Sequence, residues 1–340
     1  MKLLSIRQLR GITLALLVQS TVSMLSAASF DQMVVFGDSL SDNGNFSLAL
    51  GPGVLSNLDY DSRRLTDGPG TTPSTNIVGV AAEQLNGLLG LSPLTPALLG
   101  GSNYAWARAT TAANSGDLPS GTTPGTGAQV GAYLSTHPQA SPGSLYVLWA
   151  GANDLFNGNT ATDIQNAENA AISQLNAQIT ALLTAGAKTV IWFNIPDLSL
   201  TPAGFLEGPE LNNQLHLSSL RFKEDWAASL HSLEMNFPDA RVIGVDTYAF
   251  IHSLVENPAD YGLSNVTTPA QGQSGVNPDQ YLFWDTLHPT TKADGLLANY
   301  ALQQLQAAPV PEAGSGVYIG VLTFGLMLWR IRSAKFRRSR

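Results

Sequence analysis

The chain has 340 residues, 44% of them hydrophobic and 12% charged, with 32 glycines and no cysteine. That length and hydrophobic content suit one domain of about 280 residues once the two ends are set aside, and exclude a disordered chain; the missing cysteine excludes disulfides, zinc–thiolate sites and a cysteine nucleophile. Residues 29–308 hold 8 Lys+Arg against 24 Asp+Glu, a formal −16 where the whole chain carries −8, and so acidic a surface makes nucleic acid a poor partner.

The first 28 residues read as a cleavable signal peptide: Lys2, Arg7 and Arg10, an apolar run from Gly11 to Val22, then the small residues Ser26-Ala27-Ala28. Export, with signal peptidase as a processing partner, follows as an expectation. After it, short runs rich in Val, Ile and aromatics predict buried strands at Gln32–Phe36, Leu145–Ala150, Thr189–Ile195 and Arg241–Val245. Helices are expected at Ile77–Leu89, Asp163–Ala185 and Leu211–Phe237. The second carries an apolar stripe of Ile164, Ala167, Ala171, Leu175 and Ile179 and is stopped by Gly186. Strand–helix alternation predicts a three-layer α/β/α domain over 29–308, with a doubly wound central parallel sheet. Gly51–Ser74, Thr110–Gly127 and Ser264–Gln280 read as long loops. Leu55, Leu58, Tyr60, Leu65 and Val266, in two of them, are candidates for an acyl-binding groove and equally for ordinary packing. Residues 309–340 end the chain with Val310-Pro311-Glu312-Ala313, an uncharged run to Trp329 and six basic residues from Arg330 to Arg340. That run, Ala313–Trp329, is just long enough to span a bilayer, with the basic end held in the cytoplasm.

Ser39 follows the first strand, with Gly37 two residues before it, and ligands of open α/β sheets bind beyond the carboxyl ends of the strands. A helix starting at Ser39 would aim its unpaired N–H groups at whatever the hydroxyl attacks. Considered alone, the serine is as readily a helix N-cap as a nucleophile. A nucleophilic hydroxyl requires a base, and Asp285-Thr286-Leu287-His288-Pro289 offers one. Asp285 and His288 are three apart, close enough for the carboxylate to orient one ring nitrogen while the other faces Ser39. Pro289 keeps His288 extended and suits the first turn of a following helix. The other histidines, His137, His216, His231 and His252, have no acid at such spacing in a loop-to-helix setting. Asn153, in Gly151-Ala152-Asn153-Asp154 past another strand, is a side-chain donor for an oxyanion, although an Asn after Gly is more often a turn residue.

These blocks resemble the GDSL, or SGNH, hydrolases along nearly all of residues 31–306. The resemblance rests on Phe36-Gly37-Asp38-Ser39-Leu40-Ser41-Asp42-Asn43-Gly44-Asn45, a partial second block Gly101-Ser102-Asn103-Tyr104-Ala105-Trp106-Ala107-Arg108, Gly151-Ala152-Asn153-Asp154 and Asp285-Thr286-Leu287-His288-Pro289. Asn194-Ile195-Pro196-Asp197-Leu198 also looks like a segment of the lipase-like branch. The resemblance implies a flavodoxin-like α/β/α fold and ester hydrolysis through an acyl-enzyme, with no cofactor or metal. Carried over, Ser39 is nucleophile, His288 base and then acid, Asp285 its orienting partner and Asn153 an oxyanion donor. Arg108 stands where the family usually has the glycine whose backbone N–H is a further donor; arginine keeps the N–H but not glycine's conformational freedom. Asp294 stands where relatives often have a second histidine. The tail resembles a PEP-CTERM sorting signal, with Ala313 in place of a usual proline, which implies an exosortase-type partner and surface delivery.

Two other readings stand beside the esterase. Asp38, Asp42, Asp285 and His288 are residue types that bind divalent ions, as in a metal-dependent phosphoesterase. Arg108 leaves room for a surface binding protein whose catalytic site has decayed.

Overall fold

All four apolar runs form strands of one parallel sheet. In chain order the strands are β1 (Gln32–Gly37), the hairpin pair β2 (Asn114–Leu118) and β3 (Gly121–Pro124), then β4 (Ser144–Trp149), β5 (Thr189–Phe193) and β6 (Arg241–Val245). The computed structural model describes residues 30–67, 79–118 and 121–308. The expected signal peptide and the expected C-terminal sorting segment lie outside the described residues. Among the described residues no helix is long and apolar enough to cross a membrane.

The sheet runs β1-β4-β5-β6, with every pair parallel and Val35 level with Val147. On the free edge of β1 lies an extended segment from the second sequence block. Val35 N–H donates to Ser102 O at 3.0 Å, Tyr104 N–H to Val35 O at 2.7 Å and Trp106 N–H to Gly37 O at 3.1 Å. The chain therefore leaves β1 for one side, returns, and places β4 on the other. This reversal at β1 makes the sheet doubly wound and opens a crevice beyond the carboxyl ends of β1 and β4.

Strand alternation divides the core into two layers. Val34, Phe36, Tyr146, Leu148, Val190 and Trp192 face helices Thr126–Thr136, Ala161–Thr184 and Gly208–Asn236. Met33, Val35, Leu145, Val147, Ile191 and Phe193 face helices Ala81–Leu88 and Thr291–Ala307. With both faces covered, β4 and β5 are buried at every position, which is why they read as unbroken apolar runs.

Several elements differ from expectation, each for a local reason. The first expected helix starts at Ala81, not Ile77, because Gly79 has φ +97° and breaks the helical path. The second starts at Ala161, where Thr160 accepts from Asp163 N–H, and ends at Thr184 before Gly186 at φ +115°. The third extends back to Gly208, with Pro209 in its first turn. The expected loop Thr110–Gly127 contains the β2–β3 hairpin, hidden by its Gly, Ser and Pro content. Gly51–Ser74 contains the short helix Val54–Asn57. No helix starts at Ser39; the first among the described residues is Asn45–Leu50, and Ser39 sits in a turn. Pro289 is likewise not the first helical residue, since Thr290 caps helix Thr291–Ala307 by accepting from Ala293 N–H.

Candidate active site

The turn after β1 is shaped by a glycine and two buried carboxyls. A Cβ on Gly37 would lie 2.6 Å from the carbonyl oxygen of Trp149, so only glycine lets β1 approach β4 this closely at its end. Gln129 brackets the same residue, accepting from Gly37 N–H and donating to Gly37 O, both at 2.9 Å. Asp38 accepts Leu40 N–H at 3.0 Å on its side chain, and its carbonyl accepts Ser41 N–H and Asp42 N–H. Burial pushes the Asp38 carboxyl up to about 7, against the pull of Leu40 N–H and of His288, with Asp154 adding to the rise. This turn holds Ser39 nearly buried, its hydroxyl directed at the far end of the domain.

His288 meets it there. Its Nε2 lies 2.8 Å from Ser39 Oγ, and its Nδ1 lies 2.6 Å from Asp285 Oδ2. Asp285 Oδ1 accepts the backbone N–H groups of Leu287 and His288 at 2.6 and 2.7 Å, so the Asp-x-x-His spacing works as a turn closed by its own carboxylate. Burial would raise the Asp285 carboxyl, but the charge and hydrogen bonds of His288, with the Tyr60 hydroxyl, outweigh it and hold the group down at about 2.

The third block supplies Ala152 and Asn153 to the same cleft, and the segment after the second block is tied to it through Ala109 O. A Cβ on Gly151 (φ +123°) would lie 2.9 Å from the Phe222 ring, so the turn after β4 also requires glycine. The short helix Ala152–Phe156 begins there. Asn153 Nδ2 donates to Ala109 O at 2.9 Å, which leaves its second amide hydrogen over. Asp154 accepts from Thr111 N–H and from Thr111 Oγ1 at 2.7 Å. Arg108 adopts φ +68°, the left-handed conformation that glycine would take without strain. Among the described residues, neither Ser39 N–H nor Arg108 N–H has an acceptor. Ser39, Asn153 and His288 line one cleft with Asp38, Phe156 and Leu198.

An apolar hollow adjoins this cleft and shares Leu40, Pro196, Thr201 and Leu287 with it. Its other walls include Trp149, Phe250, Ile251, Leu254, Leu282 and Phe283. None of the five loop residues expected as acyl-groove candidates lines either space. Leu55 is buried, Leu58 is exposed, Val266 packs under helix Thr247–Glu256, and Tyr60 instead donates to Asp285 Oδ2 at 2.6 Å.

The four residues of the metal reading do not converge. Both oxygens of Asp42 face backbone donors, Oδ1 accepting from Gly44 and Asn45 and Oδ2 from Phe46 and Ala107. Two of the other histidines find an acid at long range, beyond what spacing shows: His216 Nδ1 and His252 Nε2 share Asp197 Oδ2 at 2.7 and 3.0 Å. Ser199 Oγ donates to the other oxygen of that carboxylate, so it faces the acid and not an imidazole. Tyr60, Gln129 and Asp154 carry no signal in spacing, because each acts on a residue more than 40 positions away.

A family model described as GDSL-like Lipase/Acylhydrolase matches residues 33–301. The chain belongs to that family. Among curated relatives, Lipase 1 of Photorhabdus luminescens is 25% identical, covering 86% of this chain and 53% of its own. Esterase EstA of Pseudomonas aeruginosa is 29% identical, covering 85% of this chain and 49% of its own. The chain thus spans about half the length of these curated relatives. Among solved structures, the acetylxylan esterase Axe2 of Geobacillus stearothermophilus is 13% identical with a TM-score of 0.43, covering 82% of this chain and 95% of that one.

Proposed function

We propose that this protein is a serine hydrolase that cleaves carboxylic esters through an acyl-enzyme. The observation that carries the reading is the continuous line from Ser39 Oγ to His288 Nε2 at 2.8 Å and from Nδ1 to Asp285 at 2.6 Å. Ser39 Oγ attacks the ester carbonyl carbon while its proton passes to His288 Nε2. The negative charge on the carbonyl oxygen is met by Ser39 N–H, Arg108 N–H and the free amide hydrogen of Asn153. Collapse of the tetrahedral intermediate breaks the bond to the alkoxide, which takes the proton from His288 and leaves as the alcohol. Water, deprotonated by the same imidazole, then releases the acid and restores Ser39.

The apolar hollow beside Ser39 supports an aliphatic acyl group as the substrate class. A series of p-nitrophenyl esters of increasing chain length tests both points. Turnover by the wild type, absent in Ser39→Ala, supports the acyl-enzyme, and no turnover at any length would favour a decayed site. A fluorophosphonate that labels Ser39 in the presence of a chelator separates this chemistry from metal-dependent phosphoester cleavage.

Export and surface sorting are the second part of the proposal, supported by the charge and hydropathy layout of residues 1–28 and 309–340. Terminal sequencing of the mature protein tests it; a product retaining both segments would overturn it.

A further inference from the structure

We propose that Tyr60 is a positioning residue of this site, whose hydroxyl fixes the second oxygen of Asp285 and moderates how strongly that carboxylate holds the His288 proton. The inference rests on the acyl-transfer reading above. Asp285 Oδ1 is fixed by two backbone N–H groups, whereas Oδ2 receives only side-chain donors: His288 Nδ1 and Tyr60 OH, both at 2.6 Å. The two donors share one oxygen. A second donor spreads that oxygen's charge and weakens its attraction for an imidazolium. By fixing Oδ2 it also fixes the acceptor that orients the ring, whose other nitrogen lies 2.8 Å from Ser39 Oγ. Burial, with the Asp285 hydrogen bond and charge, pushes the Tyr60 hydroxyl well above the ordinary tyrosine range, so it stays a donor throughout the working pH range.

The loop that carries Tyr60 is held as if its position mattered. Arg64 is nearly buried between Asp61 and Glu83, pairing with Asp61 at 3.4 Å and, through Nη2, with Glu83 at 2.5 Å. Asp59, at φ +62°, turns its carbonyl to accept Trp284 Nε1–H at 3.0 Å. Trp284 directly precedes Asp285, so the loop is strapped to the segment it serves. The bland alternative is that Tyr60 only closes this strap. The two roles differ in whether the hydroxyl changes the titration of His288.

Tyr60→Phe removes the hydroxyl and keeps the ring. The ring signals of His288, followed by NMR against pH, and the kcat/KM profile on a p-nitrophenyl ester are measured together. Asp38 lines the same cleft as His288 and feels its charge, and Asp154 acts on Asp38 in turn; neither is changed in the variant. The His288 midpoint and the acid limb of the profile are expected to move up by about half to one pH unit, as Asp285 holds the imidazolium more tightly. At the plateau, kcat falls about 10-fold, the loss of one hydrogen bond to a charged group, with KM little changed. Trp284→Phe, which loosens the strap without touching Asp285, leaves the midpoint where it was. An unmoved midpoint in Tyr60→Phe, or an equal shift in Trp284→Phe, overturns the proposal. Should the wild type hydrolyse no ester, the acyl-transfer reading fails, and the ring titration still decides the role of Tyr60.

Discussion

Asp42 Oδ2 accepts the backbone N–H of Ala107 at 2.8 Å, one residue ahead of Arg108. Two residues beyond that bond, Asn153 takes hold of Ala109 O, and Asp154 holds Thr111. The segment 107–111 is therefore pinned on both sides of Arg108, which is how a residue with a Cβ is kept at φ +68°. Such a conformation costs about 1 kcal/mol or more in a non-glycine residue. Arg108→Gly should therefore raise Tm by about 2–4 °C, as a gain near 1 kcal/mol does in a domain of this size, and leave kcat at or above the wild type. Arg108→Pro lacks the N–H and cannot take a positive φ, so kcat should fall by about 10² or more. A glycine variant with lowered kcat would mean that the guanidinium, and not the backbone, matters at this position.

Asn153 separates donor from scaffold. Its amide makes one bond to Ala109 O and has one hydrogen left over, which the proposed mechanism directs at the oxyanion. Asn153→Ala should lower kcat by about 10²–10³ while changing KM little, because the lost bond strengthens only in the transition state. Unfolding followed in parallel checks that segment 107–111 stays in place. A KM effect with kcat intact would place Asn153 in ground-state binding instead.

The sheet and the Asp285–His288 pair were legible in the sequence for the same reason: each is fixed locally, whereas Ser39 was paired with His288, 249 positions away, only through the block motifs. β4 and β5 are buried at every position and apolar after their first residue because both faces are covered, and Asp285 and His288 lie within one turn. What was not legible depends on long-range contact. The β2–β3 hairpin has no apolar alternation to reveal it, and the segment 102–106 pairs with β1 without forming a regular strand. Tyr60 reads as a loop aromatic until a residue 225 positions away supplies its acceptor. An acyl groove was sought in loops of mixed composition, yet the apolar hollow beside the cleft is walled by Phe250, Ile251, Leu254 and Leu282, which no motif singles out.

The rate should depend on pH through one acid limb. In the proposed mechanism only the neutral imidazole of His288 accepts the serine proton, so kcat/KM should rise as that ring loses its proton. Asp285, held at about 2, stays ionised throughout this range and adds no second limb. Measuring kcat/KM between about pH 5 and 8 checks the role of the ring, and a flat profile there would contradict it. Asp285→Asn should lower kcat strongly, by about 10⁴ where the wrong tautomer results, without abolishing fluorophosphonate binding to the cleft.

Stability should run the other way with pH. Burial raises the carboxyls of Asp38 to about 7 and of Asp154 to about 6, from an ordinary 3.8, and raises that of Asp294 well above it. Between 3.8 and those folded values the native protein binds more protons than the unfolded chain, so stability falls as pH rises through the window. Asp285 has the opposite sign: its contribution is present above 3.8 and is lost as pH falls toward 2. Together these groups put the stability maximum near pH 4 to 5, and Tm should drop by several degrees between about pH 5 and 8. Asp294 isolates one contribution. It is fully buried in helix Thr291–Ala307, and no arginine or lysine among the described residues pairs with it; burial raises its carboxyl against the pull of the Ala81 backbone, with Asp67 and Glu83 adding to the cost of its charge. Asp294→Asn keeps the shape and removes the ionisation, so Tm should rise at pH 8, change little at pH 4, and the slope between them should flatten. Equal Tm changes at both pH values would mean that Asp294 acts through packing and not through its proton.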